Sequence, residues 1–407
     1  EQFYSEKIGI EISKFIKQDE FVNQFSSTKS HQDFAELFSK ELRQISQDNH
    51  IGIVYSPRDV KRYQLKEQAK VDKKAEEDNK KNNITRLKES QLANFGIQQL
   101  RALEGNIGYI EMSYFDGFVD ESAPFFQSAM DFLASSKAII LDLRRNGGGN
   151  SRILPLFLGY FLGPEPVHFA NKIERWKNQV TKLYSKADVQ GRRHFDKPIY
   201  ILTSGTTFSL AEHVAYHLKS FERATIVGER TYGGGRAFDP VVLNSDYYLR
   251  IPRVEMVNTV TNSMYQEGIG ISPDIATSAE SAFDSAYLHA LETLKSESTE
   301  QQQIDYYRWV LRVVSAKASK DKIDFDLPPL TRQHSFGEFK FERRQQQLWL
   351  SFRDLPWVEL INLGNGYFYD DRSIQRQFQF KQVADKLELH VSRLWREIRV
   401  IKESAKN

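Results

Sequence analysis

The sequence contains no cysteine among its 407 residues. Disulfides, thiolate zinc sites and cysteine nucleophiles are therefore excluded. It also contains no apolar run of about 18 residues, so we expect no transmembrane helix. The net charge is only +2, from 56 basic and 54 acidic side chains. This balance gives no basis for a nucleic-acid or membrane-surface partner.

The start of the chain lacks both a methionine and a signal-like apolar segment, since it begins Glu1-Gln2-Phe3. We expect either that a targeting peptide was removed or that the chain was trimmed, and the sequence does not distinguish the two. The glycine-rich nucleotide signatures G-x-G-x-x-G and G-x-x-x-x-G-K-[ST] are absent from the glycine turn at 147–149, which disfavours nucleotide binding there.

Composition divides the chain into four segments. Residues 1–60 predict a helical N-terminal domain, and residues 61–92 are a highly charged solvated helix or flexible connector. Strand patterns alternate with helix patterns over 93–298, which predicts an α/β core. Residues 299–407 contain mainly strand-like runs and predict a separate, mainly β domain.

The stretch 197–219 (KPIYILTSGTTFSLAEHVAYHLK) predicts a short apolar strand, a turn of small residues and a helix that starts near Ser209. At a helix start, unpaired backbone N–H groups stabilise negative charge, as acyl transfer requires. The pattern from Ser209 to Glu212 also fits a capping box, which alone is the commoner explanation. Other residues must therefore decide whether Ser209 takes part in catalysis.

Three further features offer suitable chemistry. The glycine turn at 147–149 follows a buried strand and lets backbone N–H groups approach a ligand, although such a turn is often only structural. His50 is a candidate general base, and Glu267 is a carboxylate in a glycine-rich loop; each is also compatible with an ordinary surface role. His213 and His217 have the i, i+4 spacing of metal ligands but no third ligand, so we expect packing rather than metal binding.

Together these segments resemble one family of serine peptidases, which includes the C-terminal processing proteases, the tricorn core protease and the interphotoreceptor retinoid-binding protein repeats. The resemblance covers about residues 30–295 and excludes the C-terminal segment. The matching motifs are residues 142–149 (DLRRNGGG), 203–212 (TSGTTFSLAE), 228–235 (GERTYGGG) and 267–274 (EGIGISPD).

The resemblance also indicates a branch of the family. The processing proteases use a Ser-Lys dyad, and their lysine falls at Gly234 of this chain. The tricorn-like branch instead uses a Ser-His-Glu site, and its histidine lies in a D-x-H segment. Residues 48–50 (DNH) of this chain match that segment, and Glu267 matches the glutamate. The resemblance therefore implies a crotonase-like ββα core in which Ser209 is the nucleophile.

In the same resemblance, His50 is the general base and Glu267 orients it. The oxyanion hole is expected from the backbone N–H groups of Leu210 and Gly148, with Gly147 as the alternate to Gly148. No metal and no cofactor are expected.

The implied function is a serine endopeptidase that acts on peptide or protein substrates through an acyl-enzyme intermediate. Export is common in the family, so an extracytoplasmic (periplasmic or secreted) location is expected. One alternative is a catalytically silent member that binds an apolar ligand or a peptide in the same cleft. Another is a scaffolding role carried by residues 299–407. Oligomeric state leaves no readable pattern in the sequence.

Overall fold

The computed structural model divides into two compact units, Glu1–Ala286 and Tyr287–Asn407. The residues that it describes are 3–23, 25, 28–70, 72–263, 267–318, 333–345, 347–364, 366–370, 376–383, 386–393 and 396–402. The division falls inside a helix, whereas the sequence predicted a boundary between residues 298 and 299.

The helices occur mainly in the first unit. They are α1 (Glu6–Phe15), α2 (Asp19–Asn23), α3 (His31–Ser46), α4 (Pro57–Gln68), α5 (Lys73–Leu92), α6 (Val119–Phe132), α7 (Leu154–Gly159), α8 (Leu210–Ser220), α9 (Ala282–Glu297) and α10 (Gln301–Ala318). The charged segment predicted as a solvated helix or connector forms α4 and α5. No described helix combines the length and the apolarity needed to cross a membrane.

The strands of the described residues belong to four sheets. In the first unit they are β1 (Gly52–Tyr55), β2 (Ile97–Leu103), β3 (Ile107–Met112), β4 (Ala138–Asp142), β5 (His168–Glu174), β6 (Gln179–Tyr184), β7 (Ile199–Thr203), β8 (Ala224–Gly228), β9 (Ala237–Val242), β10 (Tyr247–Asn258) and β11 (Ile275–Ala276). In the second they are β12 (Gln333–Phe336), β13 (Phe339–Arg344), β14 (Gln347–Phe352), β15 (Val358–Glu359), β16 (Ile361–Gly364), β17 (Tyr367–Tyr369), β18 (Arg376–Val383), β19 (Lys386–Arg393) and β20 (Arg396–Lys402).

A six-stranded sheet forms the centre of the first unit, in the order β11-β8-β7-β4-β3-β2. Neighbours from β11 to β3 are parallel, and only the β2–β3 hairpin is antiparallel. Every residue of β4 and β7 is buried, because helices and loops cover these strands on both faces. Side chains such as Leu141, Phe126 and Phe157 share one apolar core, where each contributes about 1.5–3 kcal/mol by burial.

A second sheet of the first unit joins the N-terminal segment to the core. Its strand order is β1-β10-β5-β6, and β9 pairs with β10. Because β1 pairs antiparallel with β10, from Gly52 opposite Arg250 to Tyr55 opposite Tyr247, residues 1–60 lie in the same unit as the core. The division into four segments at residues 60, 92 and 298 stays a prediction. Strand β6 was not predicted, since it lies in a polar, basic stretch of the sequence.

The second unit contains most of α9, all of α10 and two antiparallel sheets, β12 to β15 and β16 to β20. Phe336, Phe341 and Phe378 belong to its apolar core. A turn separates β12 from β13. The turn contains Gly337, whose φ of 59° suits glycine.

Candidate active site

Three loops meet at one edge of the six-stranded sheet. The glycine loop follows β4, the serine loop follows β7, and a second glycine-rich loop follows β8. These strands are parallel neighbours, so their carboxyl ends lie side by side. This edge of an open parallel sheet is the usual place for a ligand site.

Hydrogen bonds tie the serine loop to the end of β4 and to the glycine loop. The Thr207 hydroxyl donates to the carbonyl of Leu143 at 2.9 Å, and the Phe208 N–H donates to the carbonyl of Asn146 at 3.1 Å. The threonine and the small residues of this turn are therefore needed to hold Ser209 beside the glycine loop.

Ser209 has an unusual backbone conformation, with φ 54° and ψ −119°. A capping residue ordinarily lies in the β region, so the sequence-based capping pattern did not predict this geometry. Such strain costs on the order of 1–3 kcal/mol and persists only where surrounding contacts impose it. One such contact is the Glu212 carboxylate, which accepts the Ser209 N–H at 2.8 Å. A sharp, strained turn between strand and helix is how several hydrolases present a nucleophilic serine.

His50 lies directly before β1 and reaches the serine from the other sheet. Its Nε2 atom is 3.2 Å from the Ser209 hydroxyl oxygen. The ring stacks on Phe208 at a centroid distance of 4.7 Å, and the residue is buried. The backbone N–H of His50 also donates to Oδ1 of Asp48 at 2.7 Å, which fixes the backbone at this point.

Glu267 is held behind His50 by backbone donors. Its Oε2 atom accepts the N–H groups of Gly235 at 2.5 Å and Arg236 at 3.1 Å, and its Oε1 atom accepts the Asn49 N–H at 3.2 Å. Oε1 lies 3.7 Å from His50 Nδ1, beyond hydrogen-bond distance. The carboxylate is therefore aimed at the imidazole without yet being bonded to it.

Arg236 balances the negative charge around the histidine. Its Nη1 atom is 3.3 Å from Oδ2 of Asp48 and 4.0 Å from Oε2 of Glu267. Burial raises the pKa of the Asp48 carboxyl, and the charge of Glu267 adds to the rise, while His50 and Arg236 oppose it. Ligand atoms of Asp48, His50 and Glu267 lie within 4.8 Å of one another, as a metal site would need, but the guanidinium already supplies a cation here.

The backbone donors near Ser209 differ in availability. The Gly148 N–H, expected first for the oxyanion hole, already donates to Oδ1 of Asn146 at 2.9 Å. Among the residues that the structure describes, the N–H groups of Leu210 and Gly147 donate no hydrogen bond. Gly148 has a packing role instead: with φ 100°, a Cβ atom there would lie 2.8 Å from the Cβ of Ser209.

Gly234 occupies the position of the dyad lysine, and its surroundings leave no room for a side chain. A Cβ atom there would lie 2.0 Å from the ring of Phe208 and 2.7 Å from Cε1 of His50. The stacked rings therefore fill the space that the lysine would need, which agrees with the sequence-based distinction between the two branches.

Glu212 has a larger role than the sequence suggested. Besides the Ser209 N–H, its carboxylate accepts the N–H groups of Gly233 and Gly234, both at 2.8 Å, and the Thr231 hydroxyl at 2.5 Å. Burial raises its pKa, and these hydrogen bonds oppose the rise. The capping motif identified this residue but not its contacts with the loop after β8.

The two histidines of α8 pack inside the protein. His213 Nε2 donates to the Gly235 carbonyl at 2.9 Å, and His217 Nδ1 accepts from the Asn258 amide at 2.9 Å. Burial lowers the pKa of His213 to about 4 and that of His217 well below its ordinary value. Both rings are thus neutral packing elements of the helix face, as the sequence predicted.

A serine on a strained turn, with an imidazole in hydrogen-bond reach and a carboxylate behind it, is the arrangement of a serine hydrolase. Residues 106–277 match the family model "Peptidase family S41", which agrees with the resemblance that the sequence motifs indicated. A carboxy-terminal-processing protease of Bartonella bacilliformis is 29% identical over 179 residues, which cover 42% of this chain and 39% of that protein. The chain thus spans well under half of that relative.

Solved structures are similar at lower identity. A lipoprotein from Streptococcus agalactiae is 17% identical, with a TM-score of 0.45, over 70% of this chain and 96% of that one. The tricorn protease is 19% identical, with a TM-score of 0.31, over 52% of this chain and 18% of that one.

Proposed function

We propose that this protein is a serine endopeptidase that uses Ser209, His50 and Glu267. The observation that carries the proposal is the 3.2 Å contact between His50 Nε2 and the Ser209 hydroxyl, with the Glu267 carboxylate on the opposite side of the ring. The match to a peptidase family over residues 106–277 supports the same reaction class.

In the proposed reaction, the Ser209 oxygen attacks the scissile carbonyl and its proton passes to His50 Nε2. Glu267 stabilises the resulting imidazolium. His50 then gives the proton to the leaving amine, and water hydrolyses the acyl-enzyme by the same route. The 3.7 Å separation at Nδ1 is expected to shorten when substrate is bound, because hydrogen bonds in free active sites are often long.

For the oxyanion, the proposal uses the N–H groups of Leu210 and Gly147. It replaces the first sequence-based choice, Gly148, because that N–H is engaged by Asn146. Each donor is expected to stabilise the tetrahedral intermediate by about 3–4 kcal/mol.

Three finer statements belong to the same proposal. The core is of the crotonase-like ββα type, the substrates are peptides or proteins, and the location is extracytoplasmic. The mixed α/β fold and the family match support the first two. Cell fractionation tests the third, and recovery in the cytoplasmic fraction would contradict it.

A catalytically silent protein that binds a peptide or apolar ligand in the same cleft is the second candidate. The observation that favours it is the missing hydrogen bond between His50 Nδ1 and Glu267. The two candidates differ in whether Ser209 reacts.

Labelling with a fluorophosphonate probe tests the proposal. We expect the native protein to be labelled and Ser209→Ala to remain unlabelled. Ser128→Ala, which alters an exposed serine on α6, is the matched control and should be labelled normally. Labelling of folded Ser209→Ala at the native rate would refute the assignment, and an unreactive native protein would favour the silent binder.

A further inference from the structure

A pocket of about 400 Å³ lies between the α4–α5 helices and the loops at Gly117 and Asn150. Its lining contains several cations and no carboxylate. The cations are Arg62, Lys66, Arg86 and Arg152.

The charge of this pocket is largely uncompensated. Only Arg62 has a carboxylate partner among the described residues, Asp59 at 3.1 Å. An adjoining pocket of about 670 Å³ differs, because its lining contains Asp59 and Glu89, and Glu89 lies 3.8 Å from Arg58. The adjoining pocket has four cations against two carboxylates, whereas the first has four cations and none, so the positive charge is least balanced in the first pocket.

The pocket adjoins the candidate nucleophile. Asn150, on its wall, is two residues beyond Gly148, so their Cα atoms are at most about 7 Å apart. Gly148 in turn packs directly against Ser209. An extended peptide rises about 3.3 Å per residue, so a chain bound at Ser209 reaches the pocket within roughly two to four residues.

We propose that this pocket binds acidic side chains of the peptide substrate, two to four residues from the scissile bond. The proposal rests on the proposed peptidase function and adds a substrate class to it. Arginine forks match carboxylates in two parallel hydrogen bonds, and lysine adds a point charge. The amides of Asn79, Asn83 and Asn150 add further donors to the lining.

A nucleic-acid strand fits these observations less well. Six acidic side chains are interspersed among the ten basic ones of α4 and α5, and the acidic ones repel a long polyanion that lies along these helices. Examples on α4 and α5 are Glu67, Glu76, Glu77 and Asp78. A short acidic segment can enter the pocket without passing along those surfaces.

Binding by the full-length Ser209→Ala protein provides a test that does not depend on cleavage. The probes are a fluorescein-labelled 12-residue peptide with four glutamates, the same peptide with four glutamines, and a labelled 12-nucleotide oligothymidine. We expect fluorescence anisotropy to show that the glutamate peptide binds most tightly and that its binding weakens as salt rises.

Neutral substitutions locate the binding site. We expect Lys66→Gln combined with Arg152→Gln to weaken glutamate-peptide binding about 10-fold. Lys88→Gln, which removes an exposed cation of α5 outside the pocket, should change it less than about twofold. Equal binding of the glutamate and glutamine peptides, equal loss in both variants, or tighter binding of the oligothymidine would each overturn the proposal.

A reactivity measurement separates the two proposals. The Lys66→Gln, Arg152→Gln protein with Ser209 intact should react with the fluorophosphonate at the native rate, because the probe carries no acidic peptide. Loss of peptide binding with native labelling supports the pocket. An unreactive native protein that still binds the glutamate peptide refutes the peptidase function, but leaves the acidic-segment site in place.

Discussion

The substitution Gly234→Ala tests whether the packing around His50 excludes a side chain at the dyad position. The new Cβ atom would lie 2.0 Å from Cε2 of Phe208 and 2.7 Å from Cε1 of His50, whereas ordinary contacts begin at 3.4 Å. The Phe208 ring must therefore move by about 1.4 Å, and the His50 ring by about 0.7 Å. These shifts follow from the differences 3.4 − 2.0 and 3.4 − 2.7.

A displacement of this size separates the imidazole from the Ser209 hydroxyl, which it now approaches at 3.2 Å. Misplacing a catalytic group by about 1 Å can lower the rate about 100-fold. We therefore expect the second-order rate of fluorophosphonate labelling to fall about 100-fold. The overpacked site should also lose about 1–3 kcal/mol of unfolding free energy, measured by urea denaturation.

Gly163→Ala is the matched control, because the closest atom to its new Cβ would be Cγ2 of Val167 at 3.9 Å. It should leave the labelling rate and the unfolding free energy close to native. Native labelling by Gly234→Ala would refute the inference that the stacked rings fill the lysine position. Gly234→Lys should be at least as slow as Gly234→Ala, since a lysine at this site cannot restore a dyad.

Three other predictions concern buried polar groups. Glu212→Gln should lower the unfolding free energy, measured by urea denaturation, by about 1–3 kcal/mol for each N–H donor left unsatisfied. Glu67→Gln, which alters an exposed carboxylate, is the control, and an equal effect of the two substitutions would contradict the prediction. Folding lowers the pKa of His213 from 6.5 to about 4, so the stability that the neutral ring contributes is complete above pH 6.5 and is lost as the pH falls toward 4. The loss of unfolding free energy reaches about 3 kcal/mol. His213→Gln should therefore show a smaller fall in unfolding free energy between pH 7 and pH 4 than the native protein. His50→Ala should slow fluorophosphonate labelling at least about 100-fold while the protein keeps its native circular dichroism spectrum. Native labelling would show that another group activates Ser209.

Local patterns predicted much of this architecture. The strand, turn and helix around Ser209 follow from an apolar run, a turn of small residues and a capping motif. His50 and Glu267 were recognised as a candidate base and a loop carboxylate from their chemistry. Only the family motifs connected them to Ser209, because their separation along the chain is too large for periodicity to do so. The structure brings His50 to both Ser209 and Glu267.

Other features were beyond prediction because tertiary contacts decide them. The left-handed backbone of Ser209 depends on Glu212 and on the loop after β8. The engagement of the Gly148 N–H depends on the side-chain orientation of Asn146, which also donates to the Met112 carbonyl at 3.0 Å. Neither arrangement has a sequence pattern of its own, because the Glu212 carboxylate and the Asn146 amide could each form other hydrogen bonds.

The pairing of β1 with β10 has a consequence for when the protein becomes reactive. His50 enters the site from the start of β1, Ser209 from the six-stranded sheet, and Glu267 from the segment after β10. During synthesis, a chain that has emerged only as far as β8 carries the serine and the histidine but has no β10 to hold β1 in register. The proposed nucleophile therefore lacks a positioned base until β10 has emerged, and the proposed site is complete only when residue 267 has followed.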